Sequence, residues 1–134
     1  MPLLLPVLVA LHVLPGVFWA GSTFVLARTS AESVERLAYP QIGAAFVTIV
    51  AGAILWNFTH GTDFLSSERI LALGVLSALI AAVLQASSLP IVGRLRSADG
   101  RVTASLRARI ARRQRAAGGL LAVTVICMVV FRYV

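Results

Sequence analysis

Lysine is missing from this chain altogether, so all twelve of its basic residues are arginines. A guanidinium stays charged and is a poor metal ligand, which excludes lysine-type ligation and acid–base chemistry. Acids are scarce as well: Glu32, Glu35, Asp63, Glu68 and Asp99 are the whole set, and all fall in polar connections or at the ends of apolar runs. No pair of carboxylates therefore sits inside an apolar segment. A single cysteine, Cys127, excludes an intramolecular disulfide and a zinc site built on CxxC pairs. HExxH, GxGxxG and phosphate-loop patterns are all missing, so soluble-type hydrolysis and nucleotide binding are not expected. Clusters of methionine and histidine, which soft copper transfer would favour, are missing too.

What the chain has in excess is apolar length. Of its 134 residues 59% are hydrophobic and 13% charged, a balance too apolar for a soluble domain of this size. Apolar runs cover 3–27, 37–58, 70–92 and 116–130, each near or above the roughly 20 residues that cross a bilayer core as helix. Arg132 closes the shortest run, where it can snorkel to the headgroups. The first run lacks a basic leader and is longer than a signal-peptide core, so it is read as a retained span. The expected fold is all-α: a single integral-membrane, up-down-up-down four-helix bundle with helices at about 3–27, 37–58, 70–92 and 102–133.

Charge orients it. Arg28 and Arg36 lie in the first connection, and eight arginines from Arg94 to Arg115 lie in the third, against Arg69 alone in the second. The positive-inside rule then puts the first and third connections in the cytoplasm and both termini on the outer, periplasmic side. The basic stretch 94–115 joins two spans, so it reads as a topology determinant and a contact for anionic lipids rather than a nucleic-acid site; no nucleic-acid binding is expected. Val102, Leu106 and Ile110 recur every four residues, as in a helix that lies along the interface or extends the fourth span. Gly74, Ala78, Ala82 and Ala86 make a small-residue stripe expected to face a partner helix, with shorter stripes at Gly16 and Ala20 and at Thr48 and Gly52. Pro15 and Gly16 are expected to kink the first helix one turn from His12.

His12 is the residue that invites a site. An ionisable ring in mid-span is costly unless a partner compensates it. A neutral imidazole there is either an iron or copper ligand, or a proton relay, or a ring that hydrogen-bonds a carbonyl or hydroxyl across the bundle. Trp19 shares its stripe with Gly16 and Thr23 and either lines a cofactor pocket or packs. Trp56, beside Asn57, reads as an interfacial belt residue. Met128 and Cys127 come within one or two turns of His12 in depth and are soft ligands in kind, with simple packing as the alternative. His60 lies beyond the second span, and with Asp63 it offers a weak surface metal site or a solvated loop. Gln85 is expected to make an interhelical hydrogen bond.

The run LHVLPGVFWAGSTFVLAR resembles the first-helix signature of copper-resistance protein D domains and HemJ-type protoporphyrinogen oxidases. The resemblance rests on His12, Trp19, Gly21, Phe24 and Arg28, and extends in outline to the four-helix layout and the arginine-rich stretch before the last helix. For His12 the HemJ branch implies binding of haem b, and the copper branch implies copper handling across the inner membrane. The chain departs from the HemJ pattern at two points: Arg69 stands nearest the place of a lysine, and ARTSAES stands where a second histidine follows the first helix. Protoporphyrinogen oxidation is therefore not carried over. Three expectations result: a bacterial multi-pass inner-membrane protein that binds haem b or a related redox cofactor through His12, with Trp19, Gly16 and Met128 around it; a non-catalytic accessory subunit that docks to a membrane-protein partner or to copies of itself; or a copper-handling protein.

Overall fold

A computed structural model describes residues 3–59 and 66–134. Every regular element in it is helical: α1 (Leu4–Arg28), α2 (Val34–Thr59), α3 (Ser66–Ala86), α4 (Leu89–Leu95) and α5 (Gly100–Tyr133). Four helices are long and apolar enough to cross a membrane: α1, α2, the stretch Glu68–Leu95 that joins α3 to α4, and α5. Their polarity is inverted relative to a soluble bundle. Leu14, Val17, Phe46 and Val83 are among many large apolar side chains on the outside, while Thr23, Gln41, Gln85 and Gln114 are buried. That is the arrangement hydrocarbon surroundings reward.

The turn between α1 and α2 closes with the 6→1 hydrogen bond of a Schellman-type cap. The Ala31 N–H returns to the Leu26 carbonyl and the Thr29 N–H to that of Val25, with Ser30 and Ala31 in the left-handed region at φ 52° and 61°. Ala31 and Leu26 meet in one fully buried cluster, the apolar contact that accompanies this cap. α1 continues through Pro15 and α2 through Pro40 without a break in helix.

Pro90 explains the break between α3 and α4. It has no N–H to offer the Ala86 carbonyl, and its ring crowds the turn before it. The chain tightens there: the Ser88 N–H bonds the Gln85 carbonyl, and Arg113 of α5 takes the Ser87 carbonyl at 2.7 Å. α5 has no such break, and at about 1.5 Å per residue it is far longer than a roughly 30 Å bilayer core. Its first half extends the fourth span rather than lying flat, because Leu106, Ile110 and Ala111 are buried against α4 and the α1–α2 turn.

Packing runs in pairs. α1 packs most extensively on α2 and α3 on α5; α1 and α5 join the pairs, and α2 and α3 barely touch. On α3 the buried residues are Glu68, Gly74, Ser77, Ala81 and Gln85, and Ser88 continues the line just before α4. Of the expected small-residue stripe, Gly74 lies on this line against α5, Ala78 and Ala82 are half-buried and pack on the Trp19 cluster, and Ala86 is exposed.

Candidate functional site

Two polar layers cross the interior. In the first, each spanning helix supplies one hydrogen-bonding side chain: Thr23 from α1, Gln41 from α2, Gln85 from α3 and Gln114 from α5, all at most 2% exposed. The Gln85 amide nitrogen donates to Thr23 Oγ1 at 2.8 Å and to Gln114 Oε1 at 3.0 Å. The Gln41 amide nitrogen donates to the same two oxygens at 3.0 and 3.3 Å, and that of Gln114 donates to Gln41 Oε1 at 3.1 Å. Thr23 Oγ1 donates in turn to the Trp19 carbonyl at 2.7 Å, so its one donor and two acceptor positions are all used. The Trp19 indole N–H closes the net on Gln85 Oε1 at 2.5 Å. One turn further along, the Trp19 ring packs in a cluster with Ala45, Ala81, Ala117 and Leu121. Three alanines, one from each of the other spans, leave the space that one indole fills.

The second layer is centred on His12. Thr23 to His12, Gln41 to Gly52 and Gln85 to Gly74 are each eleven residues, so these three positions lie about 16 Å from the glutamine layer at a common depth. His12 Nδ1 is 2.8 Å from the Thr48 carbonyl oxygen. A carbonyl only accepts, so Nδ1 carries the proton, and in the neutral ring Nε2 carries the lone pair. The Cε1–Nδ1 edge of the ring comes close to α2 because Gly52 has no side chain: a Cβ there would stand 2.8 Å from Cε1 and 3.0 Å from Nδ1 of His12. Gly16 receives Thr48 in the same way, with Cγ2 at 3.3 Å from the Cβ position. The hydroxyl of Thr48 is buried with no hydrogen-bond partner among the described residues.

The same depth is clamped on the other pair. A Cβ on Gly74 of α3 would stand 3.0 Å from Cβ of Cys127, and Thr124 Oγ1 donates to the Gly74 carbonyl at 3.0 Å. Cys127 is buried there and Met128 beside it is half-buried.

His12 and Gly16 are thus brought together with Thr48 and Gly52, Trp19 joins the glutamine layer, and Met128 belongs to the α3–α5 pair. Of the five residues that carry the first-helix resemblance, His12 and Trp19 turn inward. Gly21 and Phe24 face out, with the Arg28 guanidinium 5.7 Å from the centre of the Phe24 ring. Trp56 lines an apolar hollow of about 290 Å³ with Ala72, Val75, Leu76 and Leu79 at the α2–α3 seam. His60 and Asp63 lie outside the described residues. Among the described residues no three His, Cys, Asp or Glu side chains gather as a metal site would require.

Gln41 and Gln114 are the members of the polar net that sequence reasoning passed over. Gln41 had a signal, since it is a lone amide opening an apolar run much as Gln85 closes one. Gln114 had none, because it is set among Arg112, Arg113 and Arg115 and reads as one more solvated residue. No family model matches the chain, nor does any curated protein or solved structure.

Proposed function

We propose that this chain is a small multi-pass protein of the bacterial inner membrane, an up-down-up-down bundle with both termini periplasmic, that binds haem b through Nε2 of His12. The observation that carries the reading is the fixed imidazole. Its Nδ1 proton is committed to a backbone carbonyl and its Cε1–Nδ1 edge rests against Gly52, the kind of outer support that orients a ligating histidine and leaves the second nitrogen for a metal. Met128, within about one helical turn of His12 in depth, is the second ligand in this reading, with Gly16 about one turn and Trp19 about two turns along the histidine's own helix. Haem held there supplies one-electron redox chemistry. The chain's part is to hold the iron, fix the ring and keep water away. Arginines concentrated on the α4–α5 end support its cytoplasmic placement and its contact with anionic lipids.

The test is the optical spectrum of the protein purified after expression with ample haem. The expected result is a Soret band that His12→Ala abolishes. Gly52→Ala keeps the ligand but pushes on its ring, so the band should shift rather than vanish. No Soret band in the unmodified protein overturns the reading. Metal analysis of the same sample reports copper.

One observation favours the accessory-subunit reading instead: the groove at the arginine end and the hollow at Trp56 are both lined without His12. Purification in a mild detergent separates the two readings, since a monodisperse coloured protein supports haem binding and a stable co-purifying membrane partner supports the subunit.

A further inference from the structure

A groove of about 530 Å³ lies at the arginine end, between the α1–α2 turn and α5. Its floor is Ala104, Ala108 and Ala111, small residues on one side of α5, and its walls are Ser30, Glu32, Arg107, Arg112 and Arg115. The charged groups are not equivalent. Arg107 is spent: it grips Glu35 through both terminal nitrogens, at 2.6 and 3.3 Å, and donates to the Ala31 and Glu32 carbonyls. Arg115 uses Nε on the Ala27 carbonyl at 3.2 Å, one of the orphan acceptors at the end of α1, which leaves its two terminal nitrogens unassigned. Arg112, three residues before it on the same helix, has no hydrogen bond to any described residue, and neither does the Glu32 carboxylate. Two guanidiniums with free donors and one free carboxylate therefore share a single groove.

The depth of that groove is set by the spans. Ala27 is in the last turn of α1, and Arg115 is the last charge before the apolar stretch of α5. Both mark the headgroup level, whichever side of the membrane it is. A purely anionic ligand would satisfy the arginines and press against Glu32. A phosphodiester that also carries a primary ammonium satisfies both signs.

We propose that the groove binds the headgroup of a phosphoethanolamine lipid, with the phosphodiester on Arg112 and Arg115 and the ammonium on Glu32. This assignment rests on the membrane-spanning reading and not on the haem, so the presence or loss of a Soret band leaves it untouched.

Short-chain phosphatidylethanolamine and phosphatidylglycerol, titrated into the detergent-solubilised protein with bound lipid counted by native mass spectrometry, test it. Phosphatidylethanolamine should bind about fivefold more tightly, the size of one exposed ion pair. Glu32→Gln, at an exposed side chain with no hydrogen bond to lose, should erase that preference, and the double variant Arg112→Gln, Arg115→Gln should weaken both lipids. Free glycerophosphoethanolamine separates the two sources of the headgroup. Displacement by the free ester at matching concentration makes the soluble phosphoester the ligand, displacement at a large excess makes it the membrane lipid, and either supports headgroup recognition. Equal binding of the two lipids, a preference unchanged in Glu32→Gln, or no displacement at any concentration overturns the proposal.

Discussion

Thr48 carries two oxygens with opposite fates. Its carbonyl accepts from His12, while its hydroxyl, pressed towards Gly16, is buried with no partner among the described residues. A buried hydroxyl without a hydrogen bond costs about 1–3 kcal/mol relative to one that is paired or hydrated. Thr48→Val keeps the shape, removes the orphan donor and leaves the backbone carbonyl on His12. The variant should therefore be more stable than the parent by about 1 kcal/mol in a thermal melt in detergent, the reverse of what a polar-to-apolar change usually does to a hydrogen-bonded threonine. A loss of stability would mean that the hydroxyl is paired in the working protein.

The glutamine layer is where the elements are keyed to one another. Gln114 accepts from both Gln41 and Gln85 and donates to Gln41, so Gln114→Leu strips three contacts and leaves two amide nitrogens short of an acceptor in apolar surroundings. We expect a loss of about 1–3 kcal/mol, measured by unfolding in a detergent series, which is more than a leucine on the lipid face would cost. Four long apolar helices were legible because apolar length is a local property; the first three end within three residues of their runs, whereas the fourth helix begins at Gly100, sixteen residues before its apolar run. The finer features were not. Pro90 breaks a span that hydropathy alone runs straight through, and Gln85 is drawn to Trp19, Thr23 and Gln114 on two other helices. A pairing between distant helices leaves no periodic mark on either one. His12 stood out on the page because its chemistry clashed with its neighbours; its acceptor, a main-chain oxygen on α2, has no side-chain signature.

At the scale of the molecule the helices form two close pairs whose α2–α3 seam is nearly open. The first pair contributes Thr23 and Gln41 to the polar net and the second contributes Gln85 and Gln114, so each half alone leaves amides without their partners. A chain divided between α2 and α3 should accordingly be recovered as a stable two-fragment complex when residues 1–62 and 63–134 are made together, and neither fragment should be monodisperse alone. Size-exclusion chromatography of tagged fragments decides it, and failure to co-elute would place the strength of the bundle elsewhere. The uninterrupted α5 has a consequence for the whole bundle. Its Gly100 end is gripped by the α1–α2 turn through Arg107, and near its far end Cys127 is locked against Gly74, with no proline between them. One uninterrupted helix therefore joins the arginine end to the level of His12, while the neighbouring span is divided at Pro90, so the two ends of the bundle share a single continuous element along this side.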